Sequence, residues 1–250
     1  MKRKWMIGLI ILLIPFMILF LDHLVFKEEI PLNAKAHQSS SWQKIVDHQN
    51  DYPPALLKLA MRNEEAIDFV AEYPQRNQNL SMSLEKDLKR GGIPLLLQWD
   101  KRWGYRYYGD EMLAINGCGP TCFSMVVSYL KQNPRYNPYF IAKYAYQNGY
   151  YQSAGTSWNF MTSAAQHFDI QVTQLSLDEN LIISELQQGH PIICSVSQGI
   201  FTTEGHFIVL REYKDGLIYV NDPNSRLKSQ KGYRFDEIKT QIKNLWAYSL

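Results

Sequence analysis

Three short apolar runs set close together restrict the fold of this chain more than any other feature: Pro191-Ile192-Ile193-Cys194-Ser195-Val196, Gly205-His206-Phe207-Ile208-Val209-Leu210 and Leu217-Ile218-Tyr219-Val220-Asn221. Runs of this length, rich in β-branched residues and bounded by turn residues, read as strands. The last two flank Lys214-Asp215-Gly216 and therefore form a hairpin. Ahead of them, Thr121 to Leu130 places Cys122, Met125, Val126 and Tyr129 on one helical face and stops at Asn133-Pro134. Trp158 to His167 and Leu181 to Gln188 read as two further helices. Helices followed by an antiparallel sheet give α+β order rather than the alternation of parallel βαβ units. The stretch from Ile93 to Leu250 spans 158 residues. That is enough for one complete core.

Composition agrees with a folded domain: 46% of residues are hydrophobic and 20% charged, with 14 Gly and 11 Pro. Burial must hold it together, because three cysteines cannot build a disulfide framework, whereas 16 Tyr, 11 Phe and 6 Trp supply ample apolar area. The 26 basic residues nearly balance the 24 acidic ones, leaving a net charge of +2. Such a surface lacks the excess cations that neutralise several phosphates, so no nucleic-acid partner is expected. No cofactor is implied, and the sequence holds no internal repeat or low-complexity tract.

Trp5 to Leu21 is a 17-residue run without a charge, preceded by Lys2, Arg3 and Lys4. Its length suits a short membrane-spanning helix or a long signal-peptide core. The nearest small-x-small site, Ala34-Lys35-Ala36, lies well beyond the run, which favours an uncleaved anchor; a secreted protein follows if it is cleaved. The basic cluster should stay cytoplasmic and place the remainder outside the cell membrane as a single-pass protein. Residues 1–26 are thus expected to be the anchor or signal, 27–92 a helical membrane-proximal segment, and 93–250 the main domain. Within the middle segment Leu56, Leu59, Ala60 and Ala66, Phe69, Val70 recur at helical spacing, with Pro54 at a helix start and Asn63 as an N-cap. Gln75 to Ser83 reads as a loop, and Gly91-Gly92-Ile93-Pro94 as the boundary.

Cys118 stands between Gly117 and Gly119 at the start of a helix. An arbitrary cysteine is more often a small packed hydrophobe. Here the glycines leave the sulfur accessible, while unpaired N–H groups and the helix dipole favour a thiolate, the setting a nucleophile needs. Pro120 fits the first turn, where no backbone donor is required. The matching base would be distant in sequence but near in space. Of six histidines, only His206 opens an apolar strand; His23, His37, His48, His167 and His190 read as solvated. Its orienting partner is sought on the neighbouring hairpin strand, where Asn221 and Asp222 stand together. A two-residue loop at Asp215-Gly216 puts Asn221 on the His206 face, and a three-residue loop ending in Gly216 puts Asp222 there. Lys214-Asp215-Gly216 suits the three-residue loop and favours Asp222. An oxyanion would need two donors, the Cys118 N–H and a side-chain amide such as Gln98. Gln98 opens the dense run Trp99-Asp100-Lys101-Arg102-Trp103-Gly104.

Gln98-Trp99-Asp100, Arg102-Trp103, Gly117-Cys118-Gly119-Pro120-Thr121, Gly155-Thr156-Ser157, Gly205-His206-Phe207 and Asn221-Asp222-Pro223, in that order across roughly 93–250, resemble the stand-alone C39-like cysteine peptidases. The resemblance implies a papain-like fold, with Cys118 as nucleophile, His206 as base, Asp222 as orienter and Gln98 as oxyanion donor. The bacteriocin-maturing members carry this domain inside the cell on an ABC transporter, which this chain lacks, so cleavage of double-glycine leaders is not implied. Gly117 also replaces the Asp that precedes the nucleophile in some members. The expected function is a membrane-anchored thiol hydrolase acting on an amide in a peptide or cell-envelope substrate, or an acyltransferase with the same triad. A rival is a binding module that grips peptide or glycan with Trp99, Trp103, Tyr105, Tyr107, Tyr108 and Trp158. A metal site built on Cys118, Cys122, Cys194 and a histidine lacks the usual C-x-x-C hook. The sequence is silent on oligomeric state.

Overall fold

The computed structural model describes residues 35, 38–153 and 155–250. The run Trp5 to Leu21 lies outside the described residues; among those described, no helix is long and apolar enough to cross a membrane. The chain divides into two compact units, residues 1–49 and 50–250. In the first, helix α1 (Ser40–Asp47) is capped by the Ser39 hydroxyl, which accepts from the N–H of Trp42.

The second unit begins with helices α2 (Pro54–Arg62), α3 (Ile67–Ala71) and α4 (Glu85–Leu88). Pro54 sits in the first turn of α2, and the side chain of Asn63 accepts from the N–H of Glu65, as the sequence predicts. Leu56, Leu59, Ala60, Ala66, Phe69 and Val70 are all buried, so the three- and four-residue spacing does mark an inward face. Phe69 stacks on Tyr105 with ring centroids 4.2 Å apart, and the Tyr105 hydroxyl donates to the Phe69 carbonyl.

After the short hairpin β1 (Tyr107–Tyr108) and β2 (Glu111–Met112) come helices α5 (Leu113–Asn116), α6 (Cys118–Lys131) and α7 (Pro138–Gln147). A small ribbon follows, β3 (Tyr151–Gln152) with β4 (Gly155–Thr156), and then α8 (Asn159–His167), β5 (Gln171–Leu175) and α9 (Glu179–Gln187). The remainder is β6 (Ile192–Val196), β7 (His206–Lys214), β8 (Leu217–Asn221), α10 (Arg226–Ser229), β9 (Gly232–Tyr233), α11 (Phe235–Ile238) and β10 (Ile242–Ser249). The main sheet has the order β5-β10-β6-β7-β8-β9 and every described pairing in it is antiparallel. The fold is α+β, as expected, with one addition: β5 precedes α9, so helices and strands are not fully segregated along the chain.

Alternation along the strands sends side chains into two cores. Ile193, Phe207, Val209, Trp246 and Tyr248 pack against α6, α7 and α8 on one side. Cys194, Ile208, Leu210, Val220 and Leu245 pack with Ile182 and Leu186 of α9 and Ile238 of α11 on the other. Because β7 and β8 run antiparallel, the first residue of β7 and the residue just after β8 lie at the same end of the sheet.

Candidate active site

Cys118 is the first residue of α6, so its N–H falls outside the intrahelical ladder and faces the positive end of the helix dipole. The flanking glycines serve a purpose other than uncovering the sulfur. A Cβ on Gly117 would lie 2.3 Å from the Leu113 carbonyl oxygen, and one on Gly119 would lie 2.7 Å from the Thr156 hydroxyl. Their absent side chains let α5 and β4 close in on either side of Cys118. Thr156 is in turn hydrogen-bonded to the Tyr108 hydroxyl at 3.0 Å. Cys118 is half-buried and free, while Cys122 and Cys194 are free and fully buried. Burial, with the neighbouring Cys118 second, holds the Cys122 thiol well above the ordinary thiol range.

The hairpin brings His206 to Asp222. Its loop is the two-residue Asp215-Gly216, both with positive φ and with Lys214 paired to Leu217, rather than the three-residue loop expected from the sequence. That loop alone would have put Asn221 on the His206 face. A β-bulge at Arg211 intervenes: Glu212 pairs with Tyr219, but Leu210 pairs with Val220 and Val209 with Asn221. The one-residue slip places Asp222 opposite Ile208, on the face His206 shares. Asp222 thus shares the His206 face by way of a two-residue loop and a bulge, not the three-residue loop expected. His206 Nε2 lies 2.8 Å from Asp222 Oδ1. Asn221 points to the other side, where its amide donates to the carbonyls of Ile93 and Pro94.

Both partners are buried, Asp222 completely. Burial alone would lower the His206 pKa, but the Asp222 charge and hydrogen bond outweigh it, and Cys118 adds a smaller upward contribution, so the value is raised to about 10.

Cys118 and His206 together line two adjoining clefts. The larger, about 890 Å3, is walled by α2 residues including Leu59 and Arg62, by Gln98 and by the loop before β7. The smaller, about 500 Å3, is lined by Thr156, Trp158, Ser195 and Lys243. Glu204, two residues before His206, borders both. The result is a groove with Cys118 and His206 at its middle.

Residues 91–249, well over half of the chain, match the Peptidase_C39 like family. The chain belongs to this family. Similar solved structures include the peptidase domain of Streptococcus ComA, a bi-functional ABC transporter involved in a quorum-sensing pathway: 16% identity, covering 54% of this chain and 91% of that one, with a TM-score of 0.43. A C39-like peptidase from Bacillus anthracis is 12% identical, covering 69% of this chain and 98% of that one, with a TM-score of 0.38. No curated protein matches.

Gln98 of the C39-like region lines the larger cleft with Cys118, and its amide nitrogen is engaged by backbone carbonyls. Nε2 donates to the carbonyls of Ala114 at 2.8 Å and Ile115 at 3.2 Å, and Oε1 is buried with no hydrogen-bond partner among the described residues. Four of the six aromatics considered for ligand gripping, Trp99, Trp103, Tyr105 and Tyr108, are core residues; Tyr107 and Trp158 are exposed. Among the remaining histidines, His167 stacks on Tyr144 at 4.2 Å and His190 Nδ1 lies 2.8 Å from Glu185. No group of three or more metal-ligating side chains converges among the described residues. Sequence reasoning missed the wall of the groove contributed by α2, whose only signal was Lys58 and Arg62 bordering its apolar stripe.

Proposed function

We propose that this C39-like chain is a cysteine peptidase of papain-like build that hydrolyses an amide bond in a peptide or cell-envelope substrate, with Cys118, His206 and Asp222 as its triad. The observation that carries the reading is the buried 2.8 Å His206–Asp222 bond at the point where both clefts meet Cys118. The Cys118 sulfur attacks the carbonyl carbon, forming an S–C bond, with His206 Nδ1, the nitrogen Asp222 leaves unengaged, as the site that takes up and returns the proton. The N–H of Cys118 donates to the developing oxyanion. Gln98 would join it by releasing the longer of its two bonds, to Ile115. Collapse breaks the C–N bond as His206 protonates the leaving amine. Water then attacks the thioester, giving its proton to His206, and the carboxylic acid leaves as the thiol is restored. In this reading Trp5 to Leu21 anchors the protein in the membrane with the peptidase region outside.

The test is incubation of the full chain with a complex peptide mixture, reading new termini by mass spectrometry against a Cys118→Ala control. Cleavages made by the wild type and absent with Cys118→Ala are expected. Identical termini from both proteins, with Cys118 alkylated no faster than a free thiol, would overturn the assignment.

A further inference from the structure

The turn that carries Asp222 is tied down from outside the family-matched region. Asp222 Oδ1 accepts from the N–H of Asn224 at 2.8 Å as well as from His206, and its own N–H donates to the Ser229 hydroxyl at 2.8 Å. Any drift of residues 222–225 therefore moves the oxygen that faces His206. That turn is gripped by the link between α2 and α3. Asn63 Nδ2 donates to both the backbone and side-chain oxygens of Asn224, at 2.7 and 3.0 Å. The Glu65 carboxylate accepts from the Ser225 hydroxyl and from the N–H groups of Arg226, at 2.8 Å, and Leu227. Within the family-matched region the same turn is held by Trp99 Nε1 on the Asn224 carbonyl and by the Gln98 N–H on the Pro223 carbonyl. Ser225 Oγ, once it has donated to Glu65, accepts from the N–H of Lys228, so one carboxylate organises the whole start of α10.

Glu65 is half-buried, and its carboxylate takes three donors that would otherwise be left at a helix start. Bonds to an ionised acceptor are among the stronger ones a fold uses to hold a loop. The 91–249 span alone lacks both gripping side chains.

We infer that Asn63 and Glu65 are positioning residues for Asp222, so that the segment ahead of the family-matched region completes the active site rather than merely linking it to the membrane. The inference rests on the proposed role of Asp222 as the partner of His206.

Its test is the His206 titration midpoint, followed by two-dimensional NMR of the imidazole nitrogens in the full chain. Glu65→Ala should lower that midpoint by about half a pH unit or more, and the charge-neutral Asn63→Ala should lower it too. A lost negative charge acting through space would also depress His206, so the deciding arm is the Asp222→Ala background. There Glu65→Ala should add no further shift. An unchanged midpoint in both single variants, or the same Glu65 shift with and without Asp222, overturns the inference. If Glu65→Ala does not fold, Glu65→Gln, which keeps one acceptor oxygen, and Asn63→Ala give the same reading. Because this measurement follows the His206–Asp222 pair and not turnover, a wild type with the raised midpoint but no Cys118-dependent cleavage would overturn the peptidase reading and leave the positioning result standing.

Discussion

Asp222 meets His206 through Oδ1 alone; its second oxygen, Oδ2, is buried without a hydrogen-bond partner among the described residues. A carboxylate so placed acts on the ring through one bond and one charge. Asp222→Asn keeps size and an acceptor oxygen but removes the charge, so the His206 midpoint should fall, and Cys118-dependent cleavage should drop by roughly 10^2 to 10^4-fold. Comparing turnover with the His206 titration in this variant checks both. Full activity with an unshifted ring would remove Asp222 from the mechanism.

The raised His206 pKa also links the site to stability. The folded value is about 10 against an ordinary 6.5, so between these limits the folded protein keeps a proton that the unfolded chain has released. Stability from this group is complete below pH 6.5 and is lost as the pH rises through 10. Urea unfolding midpoints for the wild type should therefore decline across that window more steeply than for His206→Gln. Parallel declines would mean that the ring carries no such linkage.

Which parts of the fold are legible in the sequence follows from how each element is buried. β6 and the first half of β7 are buried on both faces and read directly as apolar runs. β5 has one buried residue in five, and β10 begins Ile242-Lys243-Asn244 through a bulge that leaves only the four-residue apolar run Leu245 to Tyr248, so neither announces itself. Helix α7 opens Pro138-Tyr139-Phe140 and carries two more tyrosines, residues of modest helix propensity. At the site, Cys118 and His206 stand out by local context alone. The register argument and the structure both put Asp222 on the His206 face, but by different routes, since the bulge at Arg211 cancels the difference between the expected and observed loops. The contribution of Asn63 and Glu65 is invisible in one dimension, because their partners lie about 160 residues away.

Gly117 and Gly119 give a graded prediction. At Gly119 the nearest atoms belong to the Thr156 side chain, which has some freedom to turn, whereas at Gly117 the closest atom is a backbone carbonyl oxygen. Gly117→Ala should therefore cost more than Gly119→Ala, each on the order of 1–3 kcal/mol from overpacking. Urea unfolding of the two variants measures this. Equal and negligible losses would mean that both positions are open to a side chain.

The two arms of the groove predict where an extended substrate is held. On one side Trp158, 48% exposed, stands edge-on to Trp246 with centroids 6.2 Å apart and lines the smaller cleft together with Cys118. On the other, Arg62 of α2 pairs with Glu204 at 3.6 Å across the rim, both side chains largely exposed. An exposed pair of this kind contributes only about 0–1 kcal/mol to stability, so Arg62→Ala should leave the fold intact. An aromatic contact is worth about 0.5–1.5 kcal/mol, which corresponds to a change of roughly 2 to 10-fold. Trp158→Ala should therefore slow inactivation by a peptidyl epoxide by that factor, while the rate for iodoacetamide, too small to reach either arm, stays the same. Arg62→Ala reports on the other arm in the same assay. If only Trp158→Ala slows the peptidyl reagent, its chain lies along the smaller cleft; if only Arg62→Ala does, the chain lies against α2. If neither variant separates the two reagents, neither arm serves as a binding surface for an extended chain.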